Sequence, residues 1–139
     1  MSFNPLSGAL TQATIGANGT VNSIVLAPGG TADNYSIFVG GAFQKYNNVD
    51  RNRLAKINCI TTNNVQTCSL DTSFNAVVAP VTAANTGANG IIEAIAVYDN
   101  GKILVGGAFT LYGNQKSPRI AQLNPNGTLD TSFSFTNLT

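Results

Sequence analysis

Val105-Gly106-Gly107-Ala108-Phe109 closes a short apolar run, and Val39-Gly40-Gly41-Ala42-Phe43 is its upstream copy. The same signals recur around both. Val39 to Val105 is a shift of 66, and Arg53-Leu54-Ala55-Lys56-Ile57-Asn58 returns at that shift as Arg119-Ile120-Ala121-Gln122-Leu123-Asn124. Upstream, Gly16-Ala17-Asn18-Gly19 returns as Gly87-Ala88-Asn89-Gly90 after 71 positions. Downstream, Leu70-Asp71-Thr72-Ser73-Phe74 returns as Leu129-Asp130-Thr131-Ser132-Phe133 after 59. The shift falls by five and then by seven, so the first repeat carries two insertions relative to the second. Ser2-Phe3-Asn4 matches Ser73-Phe74-Asn75, each 14 positions ahead of its Gly-Ala-Asn-Gly turn. The chain divides into a lead-in over 1–15 that completes a blade, a first repeat over 16–74 and a second over 75–139. A period of this length in β-rich sequence points to propeller blades or another stacked array.

Each repeat offers four strands. The first runs over 20–26 or 91–97 and is rich in β-branched residues, which suit a pleated surface. In the second repeat a tight turn follows at Asp99-Asn100-Gly101, where Asn and Gly tolerate positive φ. The first repeat has the longer Pro28-Gly29-Gly30-Thr31-Ala32-Asp33-Asn34 there, its five-residue insertion. The second strand is 36–43 or 102–109, its paired glycines marking close approach of another backbone or an aromatic ring. The third is 53–58 or 119–124. The fourth enters through Asn124-Pro125-Asn126-Gly127 and spans 128–133. No helical periodicity of useful length appears, so the fold class is all-β.

Composition narrows the partners. Charged residues are 9% of the chain and the net charge is +1, while hydrophobic residues are 43%. The seven cations are scattered, which argues against nucleic acid, since phosphate neutralisation needs clustered Lys and Arg. Asn, Thr and Ser supply the polarity, giving a neutral, hydrogen-bonding surface suited to sugars. No apolar run reaches the ~20 residues of a membrane span. Met1-Ser2-Phe3-Asn4 lacks the charged region and apolar core of a signal peptide and reads as an internal segment carrying a start Met. Asn-X-Ser/Thr triplets at Asn18, Asn34, Asn126 and Asn137 follow from Asn-rich turns and are discounted as glycosylation sites.

Cys59 and Cys68 flank the turn between strands three and four of the first repeat, with the seven-residue insertion between them. There is no His, so two cysteines cannot build a zinc site. They read as a cross-strand disulfide of an oxidising compartment, with free buried thiols as the other reading.

The pattern resembles the delta-60 repeat β-propellers, bacterial repeats with an Asn-Gly turn, an apolar strand, Asp-Gly-Lys-Ile-Leu-Val-Gly-Gly-x-Phe, Arg-x-Ala-x-Leu-Asn and Leu-Asp-Thr-Ser-Phe. The second repeat is the nearer copy, with Asn100-Gly101-Lys102-Ile103-Leu104-Val105-Gly106-Gly107-Ala108-Phe109 and Leu129-Asp130-Thr131-Ser132-Phe133. The resemblance implies four-stranded blades in a secreted or cell-surface protein. One blade of ~60 residues buries too little surface to stand alone. Propellers close with about 4 to 8 blades. Two blades per chain therefore call for neighbouring blades or for several chains. A homotrimer gives a six-bladed ring and a tetramer an eight-bladed one, the closed symmetry that terminates head-to-tail interfaces. A trimeric surface fibre with the propeller at its tip is the expected setting.

No cluster announces a reaction. Absence of His removes Ser-His-Asp and Cys-His catalysis. The six carboxylates show no spacing suited to glycoside hydrolysis, and no calcium-loop pattern occurs. The expectation is a non-catalytic module without cofactor or metal; a hydrolase completed across subunits is the lesser reading. Arg53 with Asp71 and Arg119 with Asp130 recur in step, as do Gly40, Gly41, Gly106 and Gly107, and recurrence marks scaffold. Ligand candidates lie after each Gly-Gly strand: Tyr46, Asn47, Asn48 and Arg51 in one loop, Tyr112, Asn114 and Lys116 in the other. Tyr beside Asn and a cation suits stacking on a sugar or contact with a cell-surface protein. The alternative is that both tyrosines pack between blades. The insertions at 29–34 and 60–67 are further candidates, since loops on a rigid scaffold often carry function.

Overall fold

The computed structural model describes residues 16–75 and 87–133. Among these every regular element is a strand. The first repeat is one antiparallel sheet of β1 (Val21–Leu26), β2 (Asn34–Gly41), β5 (Leu54–Thr62) and β6 (Val65–Leu70), in the order β1-β2-β5-β6. Between β2 and β5 sits a small hairpin, β3 (Lys45–Tyr46) with β4 (Val49–Asp50). The second repeat has β7 (Ile92–Val97), β8 (Ile103–Gly107) and β11 (Ile120–Leu123) in the order β11-β8-β7, with its own hairpin of β9 (Leu111–Tyr112) and β10 (Gln115–Lys116).

Two expectations need correction. The segments after the Gly-Gly strands are two-stranded hairpins rather than open loops. The fourth strand of the second repeat is also curtailed. Leu129 makes an isolated bridge to Leu123, and the Asp130 N–H donates to the Gln122 carbonyl at 2.8 Å. Beyond that the Asp130 carboxylate draws in the Ser132 N–H and hydroxyl, at 3.0 and 2.6 Å. That local turn competes with the ladder and ends the strand. In the first repeat the insertion lengthens the hairpin instead: β5 runs to Thr62 and β6 begins at Val65, around Asn63 and Asn64, both at positive φ.

The paired glycines have separate tasks. A Cβ on Gly41 would lie 2.0 Å from the Thr20 carbonyl oxygen, and one on Gly107 2.1 Å from that of Ile91, beside the bulge where each first strand meets its second. Gly40 faces the other repeat: its Cβ would lie 2.7 Å from Ile92 Cγ2 and 2.8 Å from Ile95 Cδ1.

Two apolar clusters result. The larger lies between the sheets, where Phe38, Leu54 and Phe74 of the first repeat meet Ile92, Ile103 and Tyr112 of the second. Full burial of side chains of this size contributes about 1.5–3 kcal/mol each. Polar bonds accompany it: Arg53 Nη1 donates to the Ala88 carbonyl at 2.8 Å, the Asn75 N–H to the Asn126 carbonyl at 2.8 Å, and Asn22 Nδ2 to the Ile92 carbonyl at 3.1 Å. The smaller cluster, Val39, Phe43, Ala55, Ile57 and Cys59, lies on the opposite face of the first sheet.

Candidate functional site

The recurring charges are scaffold, with partners other than those expected from spacing. Asp71 pairs with Lys56 Nζ at 3.3 Å and Asp130 with Lys102 Nζ at 2.6 Å, while Arg53 reaches across to Ala88. Asp71 Oδ1 accepts from the Ser73 N–H at 3.0 Å, and from the Ser73 hydroxyl. Burial pushes the Asp71 carboxyl up, but bonds from the Ser73 hydroxyl, Asn58, the Ser73 N–H and Lys56 together hold it at about 2, below its ordinary 3.8. Asp130 is held low chiefly by the Lys102 ammonium, then by Ser132 and Gln122. Arg53 and Arg119 both take positive φ, at 74° and 72°, which turns their carbonyls onto the N–H groups of Gly41 and Gly107 at 3.0 and 2.9 Å.

The two small hairpins carry the residues expected to bind. Their turns place consecutive residues at positive φ: Asn47 at 49° and Asn48 at 63°, Gly113 at 55° and Asn114 at 64°. Such two-residue turns demand residues that tolerate this region, which accounts for Asn at matching positions. Each hairpin is tied down from below. Asn18 Oδ1 accepts from the N–H groups of Gln44 and Lys45 at 2.9 and 2.8 Å, and Asn89 Oδ1 accepts from Thr110 and Leu111, both at 2.9 Å.

These hairpins divide the expected residues by exposure. Asn48 and Asn114 are exposed at the tips of matching turns in consecutive repeats, and Lys116 is exposed on β10 beside the second. Tyr46 and Asn47 are half-buried, and Asn47 Oδ1 accepts from the Gly16 N–H at 2.7 Å. Tyr112 and Arg51 are buried, and neither side chain is open to a ligand from solvent. Tyr112 packs edge-on to Phe109 and its hydroxyl donates to the Gly127 carbonyl at 3.1 Å; burial raises its pKa. Arg51 is 2% exposed, its Nη1 donating to the Asp50 carbonyl at 2.7 Å. Desolvation lowers its pKa, against the opposing pull of Asp71 and Asp50. The cation at this hairpin is Lys45 instead, paired with Asp50 at 2.6 Å on the surface.

The insertions gather at the other end of the first sheet, since antiparallel order puts the β1–β2 and β5–β6 connections together. Thr61 N–H donates to the Asp33 carbonyl at 2.7 Å, and Gln66 Nε2 to the Tyr35 hydroxyl at 3.0 Å. Cys59 and Cys68 face each other in the ladder and form the expected disulfide.

The open apolar face that two blades without neighbours imply is present on the first repeat. A groove of about 310 Å³ lies on the uncovered face of the first sheet, where Val21, Ile24, Tyr35, Ile37, Tyr46 and the disulfide meet. Its signal was present: Val21 and Ile24 match Ile92 and Ile95, residues that a neighbour covers in the second repeat. No carboxylate or cation among the described residues lines it. Among the described residues no three His, Cys, Asp or Glu side chains gather as a metal site, and no helix is long and apolar enough to cross a membrane.

One family model matches, that of a domain of unknown function (DUF5122) beta-propeller, over residues 36–58 and 99–133. The matched segments carry both Gly-Gly strands, and with the antiparallel sheets they support a β-propeller-type repeat. No curated protein and no solved structure matches the chain.

Proposed function

We propose that the chain is a non-catalytic β-propeller module of the delta-60 type, borne by a secreted or cell-surface protein. Its ring is completed by further copies, three in the favoured arrangement, and displays ligand-binding hairpins at the tip of a fibre. Glycans or a cell-surface protein are the ligands. The observation that carries this reading is the pair of matching hairpins, whose exposed tips at Asn48 and Asn114 repeat a polar edge from one blade to the next, with Lys116 adding a cation to the second where Asp50 stands in the first. Side-chain amides and an ammonium on a rigid turn suit the hydroxyl groups of a sugar. The Cys59–Cys68 disulfide supports an oxidising location.

Binding to a glycan array and to intact cells, measured with the assembled protein, tests this directly. Replacing Asn48 and Asn114 by Gly, which keeps the positive φ of both turns, together with Lys116 by Ala is expected to lower retention about tenfold or more, equivalent to at least 1.4 kcal/mol, with the fold unchanged. Equal retention by the triple variant, or none by the parent, contradicts it. A second reading, a structural blade pair of a larger propeller or spacer, is favoured by one fact. The turn geometry alone accounts for Asn at both tips. That reading expects no ligand at all.

A further inference from the structure

Within the chain, one face of each repeat is a socket and the other a plug, and the junction between the sheets shows how they fit. The socket of the second repeat is full: Ile92 is 0% and Ile95 9% exposed, covered by Phe38, Leu54 and Phe74. Their counterparts in the first repeat, Val21 and Ile24, are 38% and 60% exposed and border the open groove. Tyr46 is half-buried there, where Tyr112 is fully covered. On the plug side the positions of Phe38, Leu54 and Phe74 are taken by Leu104, Ile120 and Phe133, all apolar and all half-buried.

The glycines make the comparison sharper. Gly40 has no room for a Cβ because Ile92 and Ile95 press on it, whereas a Cβ on Gly106 would meet nothing nearer than the Arg119 carbonyl at 3.8 Å. Nothing within the described residues requires glycine at 106. A socket pressing there, as on Gly40, does. Arg119 gives a second such case, since its counterpart Arg53 crosses to the Ala88 carbonyl while Arg119 is exposed.

We propose that the groove of the first repeat receives the Leu104–Ile120 face of the second repeat from another copy of this chain, head to tail, resting on the propeller reading above. In that junction Gly106 lies against Val21 and Ile24. Arg119 donates to the Ala17 carbonyl, and Ile120 takes the place that Leu54 holds inside the chain. The faces correspond in kind as well as position: smaller Val21 stands for Ile92 on one side, and smaller Leu104 for Phe38 on the other. One polar bond is not repeated. Glu93 occupies the position of Asn22, and a carboxylate cannot donate to the Val21 carbonyl.

Gly106→Val is the discriminating variant, because valine fits the isolated strand but collides with the socket. Sedimentation velocity of the full chain is expected to show assembly of the parent and a monomer for Gly106→Val at the same concentration. The shift in dissociation constant should be about 100-fold or more, with an unchanged far-ultraviolet spectrum. Ile24→Asp, at an exposed groove position, is expected to do the same from the other side and guards against a folding defect in the first variant. An assembled parent whose mass neither substitution alters overturns the pairing of faces while leaving the ring standing. A monomeric parent overturns both.

Discussion

At the scale of single residues, much of the recurrence is backbone geometry. Asn48 and Asn114 stand at positive φ in two-residue turns, and Arg53 and Arg119 hold left-handed conformations so that their carbonyls meet glycine N–H groups. The sequence made these positions visible as repeats. It did not make their partners visible. Asp71 and Asp130 recur, yet one is paired by Lys56 from the third strand and the other by Lys102 from the second, because the third-strand lysine has become Gln122 in the second repeat. Spacing alone cannot choose between neighbours two strands apart. Asp71 also gives a pH signature. Its carboxyl sits at about 2 instead of 3.8, so folding favours the ionised form. Its contribution is complete above pH ~4 and disappears as pH falls towards ~2. Asp71→Asn is expected to be less stable than the parent at pH 7, and the gap should close by pH ~2 in denaturant unfolding. A gap independent of pH contradicts this role.

At the scale of elements, the strands were legible wherever apolar alternation and turn residues agreed. The first three strands of each repeat fall where those signals put them. The fourth strand of the second repeat does not, because the Asp130 side chain captures the Ser132 N–H and curls the chain after one bridge. The hairpins at 45–50 and 111–116 were missed as strands because two residues a side are too few to show alternation. The cysteines were easier to place, since spacing around a turn fixes two positions of one ladder. Cys59 and Cys68 join β5 to β6 beneath the lengthened tip, where Ile60 and Val65 are exposed and, among the described residues, the outer strand has no further neighbour in its sheet. A bridge closing so short a loop stabilises by about 2–3 kcal/mol. Replacing both cysteines with serine is expected to lower unfolding stability by that amount, as is reduction of the parent. Unfolding curves indifferent to reductant contradict it.

At the scale of the whole molecule, the repeat period announced blades before any strand was placed, and the sheets with their shared cluster agree with that. The residues expected to bind were only partly legible. Tyr46 and Tyr112 recur because that position packs beneath a neighbouring blade: Tyr112 is covered, and Tyr46 borders the groove where cover is lacking. That a two-blade chain leaves an apolar flank open was legible from the blade count; that Val21 and Ile24 form it was not, because they look like any core residues until their sheet is seen with one face uncovered. An apolar face of this kind, matched by a plug of the same pattern elsewhere on the molecule, suits the proposed head-to-tail contact, which closes into a ring where the rotation between copies fits and runs on as a filament where it does not. On the proposed reading, two blades per chain give six from three copies, within the range in which propellers form rings. Native mass is the most direct test. Mass spectrometry under non-denaturing conditions is predicted to give three times the 14.4 kDa chain as the dominant species. A dominant single chain at micromolar concentration contradicts it.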